Sequence, residues 1–370
     1  MGPTVAHISH SNLRHNIKLI RETVGTCKIM AVVKANAYGH GDVEISRTAI
    51  ETGCEYLGVA FIEEGIKLRQ AGITEPILVF GAHHSDYLAS AIDYNLEITI
   101  TSDEQLSYLQ QLNKPNQKIP IHLKVNTGMN RVGYQWNLFK NIFKNILNNK
   151  RFEIKGVYSH LSSADEINRS FTDLQISRFE EIKRFVQSVC SHEILFHLAN
   201  SAAIMKLPET YLNMVRPGIM LYGQLPSPDF ETDWDLKEVL SLRSKLGLIQ
   251  HLEKNEPVSY SRRFYTKEAT HIGLVPAGYA DGLSRRLTNN AEVIIRGNKY
   301  PIVGTVCMDM VMVDLGKNLS CEIGDDVIIY GEDKQNKISI REVSARLETI
   351  PYEITCNISS RVPRNHFYSY

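Results

Sequence analysis

Short apolar runs, rich in Val, Ile, Leu and Tyr, recur through the first 220 residues of this 370-residue chain. Runs at Lys28–Val33, Tyr56–Ala60, Ile77–Phe80, Glu97–Ile100, Ile121–Val125, Lys155–Tyr158, Leu195–Leu198 and Leu212–Val215 have the length of buried strands. Between them the apolar positions repeat with a helical period. Over 12–24, Leu13, Ile17, Ile20 and Val24 share one face, with Ser11 as the cap and Gly25 as the stop. Over 171–189, the stripe Phe171, Leu174, Phe179, Ile182, Phe185 and Val189 predicts a second helix buried along that face. A helix between two strands returns the chain to the end of the sheet where it began, so the strands pair in parallel. Eight such units predict an α/β fold, a (β/α)8 barrel of the TIM type.

Beyond about residue 236 the helical period fades. Runs at His271–Val275, Glu292–Ile295, Tyr300–Val306, Met310–Val313 and Asp326–Tyr330 alternate with Gly, Asn and Asp turns, which predicts a mainly β domain. The stretch Pro226–Asp235, rich in proline and acid, reads as the linker. The expected division is therefore a barrel over 1–235 and a C-terminal β domain over 236–370.

Charge changes this picture little. Lys+Arg and Asp+Glu are 41 each, which leaves no electrostatic footprint for a polyanion and argues against nucleic acid. Cys27, Cys54, Cys190, Cys307, Cys321 and Cys356 are scattered, as in a reduced protein without a disulfide framework or structural zinc. No uncharged apolar run approaches the ~18–20 residues of a membrane span. The opening MGPTVAHISHSN lacks the basic-then-apolar pattern of a cleaved leader. The expectation is a cytoplasmic protein without membrane contact.

A barrel carries its chemistry just past the C-terminal ends of its strands. Lys34 follows the first run, Asn126 to Arg131 the fifth, His160 the sixth, Asn200 and Ser201 the seventh, and Arg216-Pro217-Gly218 the eighth. Lys34 closes the apolar stretch from Ile29 to Val33. Partial burial disfavours its ammonium form and leaves an amine able to form an imine. His83-His84, after the third run, has no second ligand cluster and reads as surface, so no metal is expected.

The string around Lys34, AVVKANAYGHG at 31–41, is similar to the cofactor-lysine motif of the alanine racemase family, fold-type III enzymes that use pyridoxal 5'-phosphate (PLP). The resemblance runs nearly end to end. NTGMNRVG at 126–133, HLANSAA at 197–203, MVRPGIMLYG at 214–223, PAGYADG at 276–282, VCMDM at 306–310 and SSRVPR at 359–364 follow in family order. It implies a homodimer with shared active sites that interconverts L- and D-alanine, supplying D-alanine for peptidoglycan.

Carried over position by position, the resemblance makes Lys34 the PLP Schiff-base lysine and one of two bases. Tyr260, in PVSYSRRF, matches the second base, contributed across the dimer interface. Two groups on opposite faces of Cα exchange its proton more simply than one that must cross over. A phenol has a pKa of about 10 and needs help to act as a base; His160 and Arg216 match the family's chain behind the tyrosine. Arg216 also matches the residue at the pyridine nitrogen. An arginine cannot accept a proton there, so the ring stays a weak electron sink, which favours proton exchange over transamination. Tyr38, Ser201, Gly218, Ile219 and Tyr352 match phosphate-binding positions. Arg131 matches the residue steering the substrate carboxylate and the PLP phenolic oxygen. Met308, beside Asp309, matches a substrate-carboxylate contact from the partner's β domain, and Tyr279 a tyrosine lining the entry route. Lys124 matches a lysine that some members carbamylate, giving Arg131 an anionic neighbour.

Two positions depart from the pattern. Ser261-Arg262-Arg263 stands where many relatives carry a glycine-led turn, and Asn126 replaces a common aspartate. Three alternatives share the architecture or the cofactor: a racemase of broader range acting on serine or lysine, a decarboxylase, and a non-catalytic PLP-binding protein. Arg216 argues against the decarboxylase, which favours an acid at the pyridine nitrogen. The long β domain with Tyr260 argues against the bare binding protein.

Overall fold

The computed structural model describes residues 2–81, 87–112 and 118–368. Its first sheet contains the strands Lys28–Val32, Tyr56–Val59, Ile77–Val79, Glu97–Ile100, Ile119–Asn126, Phe152–Tyr158, Leu195–His197 and Met214–Val215, all pairing in parallel. The last pairs with the first in the register Met214↔Lys28 and Val215↔Ile29. On its other side, Asn213 N donates to Phe196 O (3.1 Å) and Arg216 N to Ala199 O (3.0 Å), which nearly closes the barrel. These are the eight runs read from the sequence, with ends shifted by a residue or two at most places. Their largely apolar character follows from burial on both faces, inside the barrel and under the helices.

The helix His10–Val24 buries Leu13, Ile17, Ile20 and Val24, as its period requires, and ends at Gly25 with φ 61°. Its cap is Ser9, not Ser11: the Ser9 hydroxyl accepts the Asn12 N–H at 3.3 Å. The helix Ser170–Val189 corrects the expected stripe. Phe171, Leu174 and Val189 are exposed, and the buried face is Thr172, Gln175, Phe179, Ile182 and Val186.

The second sheet runs in the order Leu248–Leu252, Thr270–Val275, Val311–Gly316, Asn298–Val303, Glu292–Ile295, Asp326–Glu332, Leu240–Lys245, Val5–Ser9, Arg364–Phe367. The division at 235 had assigned the whole N-terminal stretch to the barrel. Val5–Ser9 instead pairs antiparallel with Leu240–Lys245 and parallel with Arg364–Phe367. A five-residue strand leading straight into a helix carries too little alternation to stand out in sequence. The consequence is mechanical: the chain starts in the β domain, crosses into the barrel, and returns. A continuous apolar core accordingly runs from the barrel strands into the second sheet. Two short helices, Ile340–Arg346 and Pro351–Cys356, lie within the β domain's stretch of chain.

Candidate active site

Lys34 stands at the end of the strand Lys28–Val32, as expected, but the backbone beyond it takes an unusual path. Ala35, Asn36, Ala37 and Tyr38 all have φ between 52° and 54°, a turn of left-handed helix. Each such residue costs roughly 1–2 kcal/mol when it carries a Cβ. The surroundings impose the shape. Ala37 N donates to Val33 O (2.8 Å) and Gly39 N to Ala35 O (3.0 Å). Glu64, on the helix Ile62–Gln70, accepts the N–H of Ala35 (2.6 Å) with one oxygen and those of Ala60 (2.8 Å) and Phe61 (3.0 Å) with the other. Gly39 continues the left-handed path at φ 87°, and a Cβ there would collide with the Thr355 carbonyl. The turn buries Tyr38 inward while Lys34 remains half-buried at the barrel mouth.

A cavity of about 520 Å³ opens there. It is lined by Lys34, Tyr38, Lys124, Arg131, His160, Ser201, Arg216, Gly218, Ile219 and Tyr352, which brings the barrel-side residues matched to catalytic and cofactor positions in the sequence together with Tyr352. The floor is built for an anion. Ser201 Oγ accepts the Gly218 N–H at 2.9 Å, and a Cβ on Gly218 would lie 2.7 Å from the Tyr38 hydroxyl. A bare glycine thus keeps the hydroxyls of Tyr38 and Ser201 open to a phosphate. Tyr352 brings a second ring, 5.8 Å from that of Tyr38.

Positive charge dominates the upper wall. Arg216 is buried; it donates to Ser159 O (2.8 Å), Leu198 O (3.1 Å), His197 Nδ1 (3.0 Å) and, more loosely, His160 Nδ1 (3.4 Å). Burial lowers it to about 10, so it remains a cation at neutral pH. Desolvation, with Arg131 beside it, lowers Lys34 below the usual ammonium value. Lys124 is lowered much further, by burial and then by Arg216 and Arg131, and its amine sits 4.3 Å over the Tyr158 ring. His160 is held well below its usual value by burial and by Lys124, Arg216, Arg131 and Lys34. Burial thus disfavours the charged forms of Lys34, Lys124 and His160 beside a guanidinium that stays charged.

The remaining predicted residues form a second group. Tyr260, Tyr279 and Met308 line a separate hollow of about 850 Å³ on the β domain, and all three are exposed. Within one chain Tyr260 does not line the Lys34 cavity. The substituted turn around it adopts left-handed backbone at Ser259, Ser261 and Arg262, the conformation that glycine adopts most freely. Asn126 serves its loop well: its oxygen accepts the N–H groups of Gly128 (3.1 Å) and Asn130 (3.0 Å), and its amide donates to Asn130 Oδ1 (2.9 Å). Among the described residues no group of three or more His, Cys, Asp or Glu side chains is placed to hold a metal ion. His83 and His84 lie outside the described residues.

Sequence reading gave no role to Glu64, Tyr158 or His197. Glu64 acts on backbone N–H groups and so leaves no pattern. Tyr158 and His197 were visible only as polar residues ending apolar strands, their rings stacked at 4.6 Å.

Comparison with known proteins agrees with this geometry along the whole chain. The family model described as "Alanine racemase, N-terminal domain" matches residues 8–226, and that of the C-terminal domain residues 239–366. "Alanine racemase 2" of Caldanaerobacter subterraneus subsp. tengcongensis is 38% identical over 372 aligned residues, covering 99% of this chain and 95% of that protein. The crystal structure of alanine racemase from E. faecalis superposes with a TM-score of 0.93 at 34% identity, over 99% of this chain and 98% of that one. Alanine racemase from Bacillus anthracis, solved with bound L-Ala-P, gives 0.92 at 34% identity, over 100% and 96%.

Proposed function

The chain belongs to the alanine racemase family, and from that premise we propose how its own residues interconvert L- and D-alanine on pyridoxal phosphate. The observation that carries this reading is the convergence of Lys34, Arg216 and the Tyr38–Ser201–Gly218 cradle on one cavity, of a size for a cofactor and a small amino acid. In this cavity the cradle would hold the phosphate, Lys34 the carbonyl carbon and Arg216 the ring nitrogen. When bound, PLP supplies a carbonyl carbon for imine formation with an amine and a conjugated ring that takes up charge from Cα.

The protein's part is proton handling and positioning. Lys34, already lowered by burial and Arg131, returns to a neutral amine easily and serves as a base on one face of Cα. Arg216, a donor only, leaves the ring nitrogen without a proton and so limits how much charge leaves Cα. Arg131 is exposed at the mouth beside Lys34 and steers a carboxylate inward. Lys124, whose ammonium form burial and the neighbouring guanidinium groups disfavour, can attack carbon dioxide through its amine; the N–C bond forms as one amine proton leaves to solvent, and the carbamate gives Arg131 an anionic partner. Tyr260 serves the opposite face from the partner subunit of a homodimer, with Met308 and Tyr279 completing the pocket and its entrance. That assignment is supported by the exposure of all three on one face, remote from their own chain's cavity. A cytoplasmic location and a supply of D-alanine to peptidoglycan complete the proposal. Among the described residues no helix is long and apolar enough to cross a membrane.

Purified protein should be yellow, and borohydride should fix the cofactor on the peptide bearing Lys34. Chiral chromatography should show either enantiomer of alanine converted to a racemate. Fixation on another lysine would overturn the site, and equal rates on lysine or serine would favour the broader-range reading.

A further inference from the structure

A line of buried polar groups crosses the barrel beneath Arg216. Glu97 opens the strand Glu97–Ile100, at the end of the barrel away from the mouth. Its Oε2 lies 2.7 Å from His122 Nε2; His122 Nδ1 lies 3.0 Å from His197 Nε2; and His197 Nδ1 lies 3.0 Å from Arg216 Nη1. Both histidines are fully buried, and Glu97 and Arg216 nearly so. The chain even makes room for the line: a Cβ on Gly156 would collide with the His122 ring.

Donor and acceptor counting leaves one arrangement. A guanidinium only donates, so His197 Nδ1 accepts from it. A neutral His197 then carries its proton on Nε2 and donates to His122 Nδ1. His122 in turn carries its proton on Nε2 and donates to Glu97, which as a carboxylate only accepts. The opposite order would set a ring N–H against the guanidinium, leaving two buried donors face to face. Tyr158 packs flat on His197 and hydrogen-bonds Thr99 Oγ1 at 2.8 Å, so the ring has little freedom to turn away. Burial, followed by Arg216, holds His197 well below the usual histidine value, in keeping with a neutral ring.

We propose that Glu97 is a positioning residue for Arg216, fixing the tautomers of His122 and His197 so that a lone pair always faces the guanidinium. The proposal rests on the reading of Arg216 as the group at the pyridine nitrogen. It extends that reading to a carboxylate at the far end of the barrel, three hydrogen bonds away. The anion also balances the Arg216 charge from a distance, through two rings; among the described residues no carboxylate is hydrogen-bonded to the guanidinium itself.

The test reads the tautomers directly. Holoenzyme grown on ring-labelled histidine gives nitrogen NMR signals for both rings, identified by their loss in His122→Phe and His197→Phe. In the wild-type enzyme both should be neutral, protonated on Nε2 and bare on Nδ1; this needs no substitution at Glu97. In Glu97→Gln the amide donates as well as accepts, and the His197 signals should split between two tautomers. The same variant should lose about 10- to 100-fold in kcat, the loss typical of removing a group that orients a catalytic side chain. Its KM for alanine should stay within about twofold, because substrate contacts are untouched. Gly156→Ala, which displaces the His122 ring, should give the same splitting. A wild-type His197 protonated on Nδ1 would overturn the proposal, as would unsplit signals and undiminished kcat in Glu97→Gln. The pyridine nitrogen signal of the bound cofactor separates the two readings. If His197 splits and kcat falls while that signal stays put, the relay stands and the placement of Arg216 is what fails.

Discussion

In the proposed mechanism Arg216 decides more of the chemistry than any other side chain, because its charge is fixed where most groups would titrate. Its partners are a histidine lone pair and backbone carbonyls, so nothing in contact with it drains the positive charge. Arg216→Glu would place an acid where the ring nitrogen is expected and allow that nitrogen to be protonated. Racemisation should slow by about 100-fold or more, as on losing a preorganised donor, and pyruvate should appear as a transamination by-product from alanine. Circular dichroism must show a folded variant, and Arg216→Lys, which keeps a cation, should form no pyruvate. A folded Arg216→Glu enzyme that racemises slowly and makes no pyruvate would reduce Arg216 to an anchor. At this scale the sequence was most legible where a string surrounds the residue, as with Lys34 in AVVKANAYGHG. It was least legible where a side chain serves the backbone or another side chain. Glu64, Glu97 and His122 look like ordinary strand and helix residues until their partners are known.

The turn after Lys34 shows how an element stores strain for function. Four left-handed residues in a row persist because Glu64, Val33 and Gly39 over-determine them. Glu64→Ala removes the acceptor of three N–H groups and should destabilise the protein by about 2 kcal/mol or more, readable by urea unfolding. If the turn is what presents Lys34, borohydride fixation at that lysine and kcat should fall together; unchanged fixation would leave Glu64 as a helix cap alone. None of this was visible in sequence, since Ala and Tyr give no warning of a left-handed path. The strands were legible because burial on both faces makes them mostly apolar, polar exceptions such as Glu97, His122 and His197 being paired with one another and with Arg216. The helix Ser170–Val189 was misphased for a physical reason. Its buried face includes Gln175, whose amide donates to Thr127 Oγ1 (3.2 Å) and His160 O (3.0 Å) while its oxygen accepts the Ser162 N–H (3.0 Å). A polar residue that holds two active-site loops outranks Leu174 for the inward position, and hydropathy cannot see that.

On the scale of the whole molecule, burial of neutral histidines predicts how stability responds to acid. Desolvation lowers His10 to about 4 and His40 to about 3, and lowers His197 well below its usual value. Below pH ~6.5 the unfolded chain takes up protons that the native protein refuses, so stability falls as pH falls. Each fully buried histidine contributes up to about 1.4 kcal/mol per pH unit in that window. The urea midpoint should therefore drop steeply between pH 6.5 and 5, before most carboxylates titrate; a flat midpoint would mean these rings are protonated in the native state. The sharing of sites between subunits is the larger claim, and it is testable without a complex structure. Lys34 tops the barrel, while Tyr260 lies exposed on the β domain, outside that chain's own cavity. In the proposed homodimer a two-fold interface would bring such a face opposite the barrel mouth of a second copy. Lys34→Ala and Tyr260→Phe should each be nearly inactive, because each removes the group on one face of Cα. After gentle dissociation and mixing, about half the dimers should be mixed, and each then holds one intact site and one doubly damaged site. About a quarter of wild-type activity should return. If isotope-labelled subunits prove that exchange took place and no activity returns, both bases belong to the same chain.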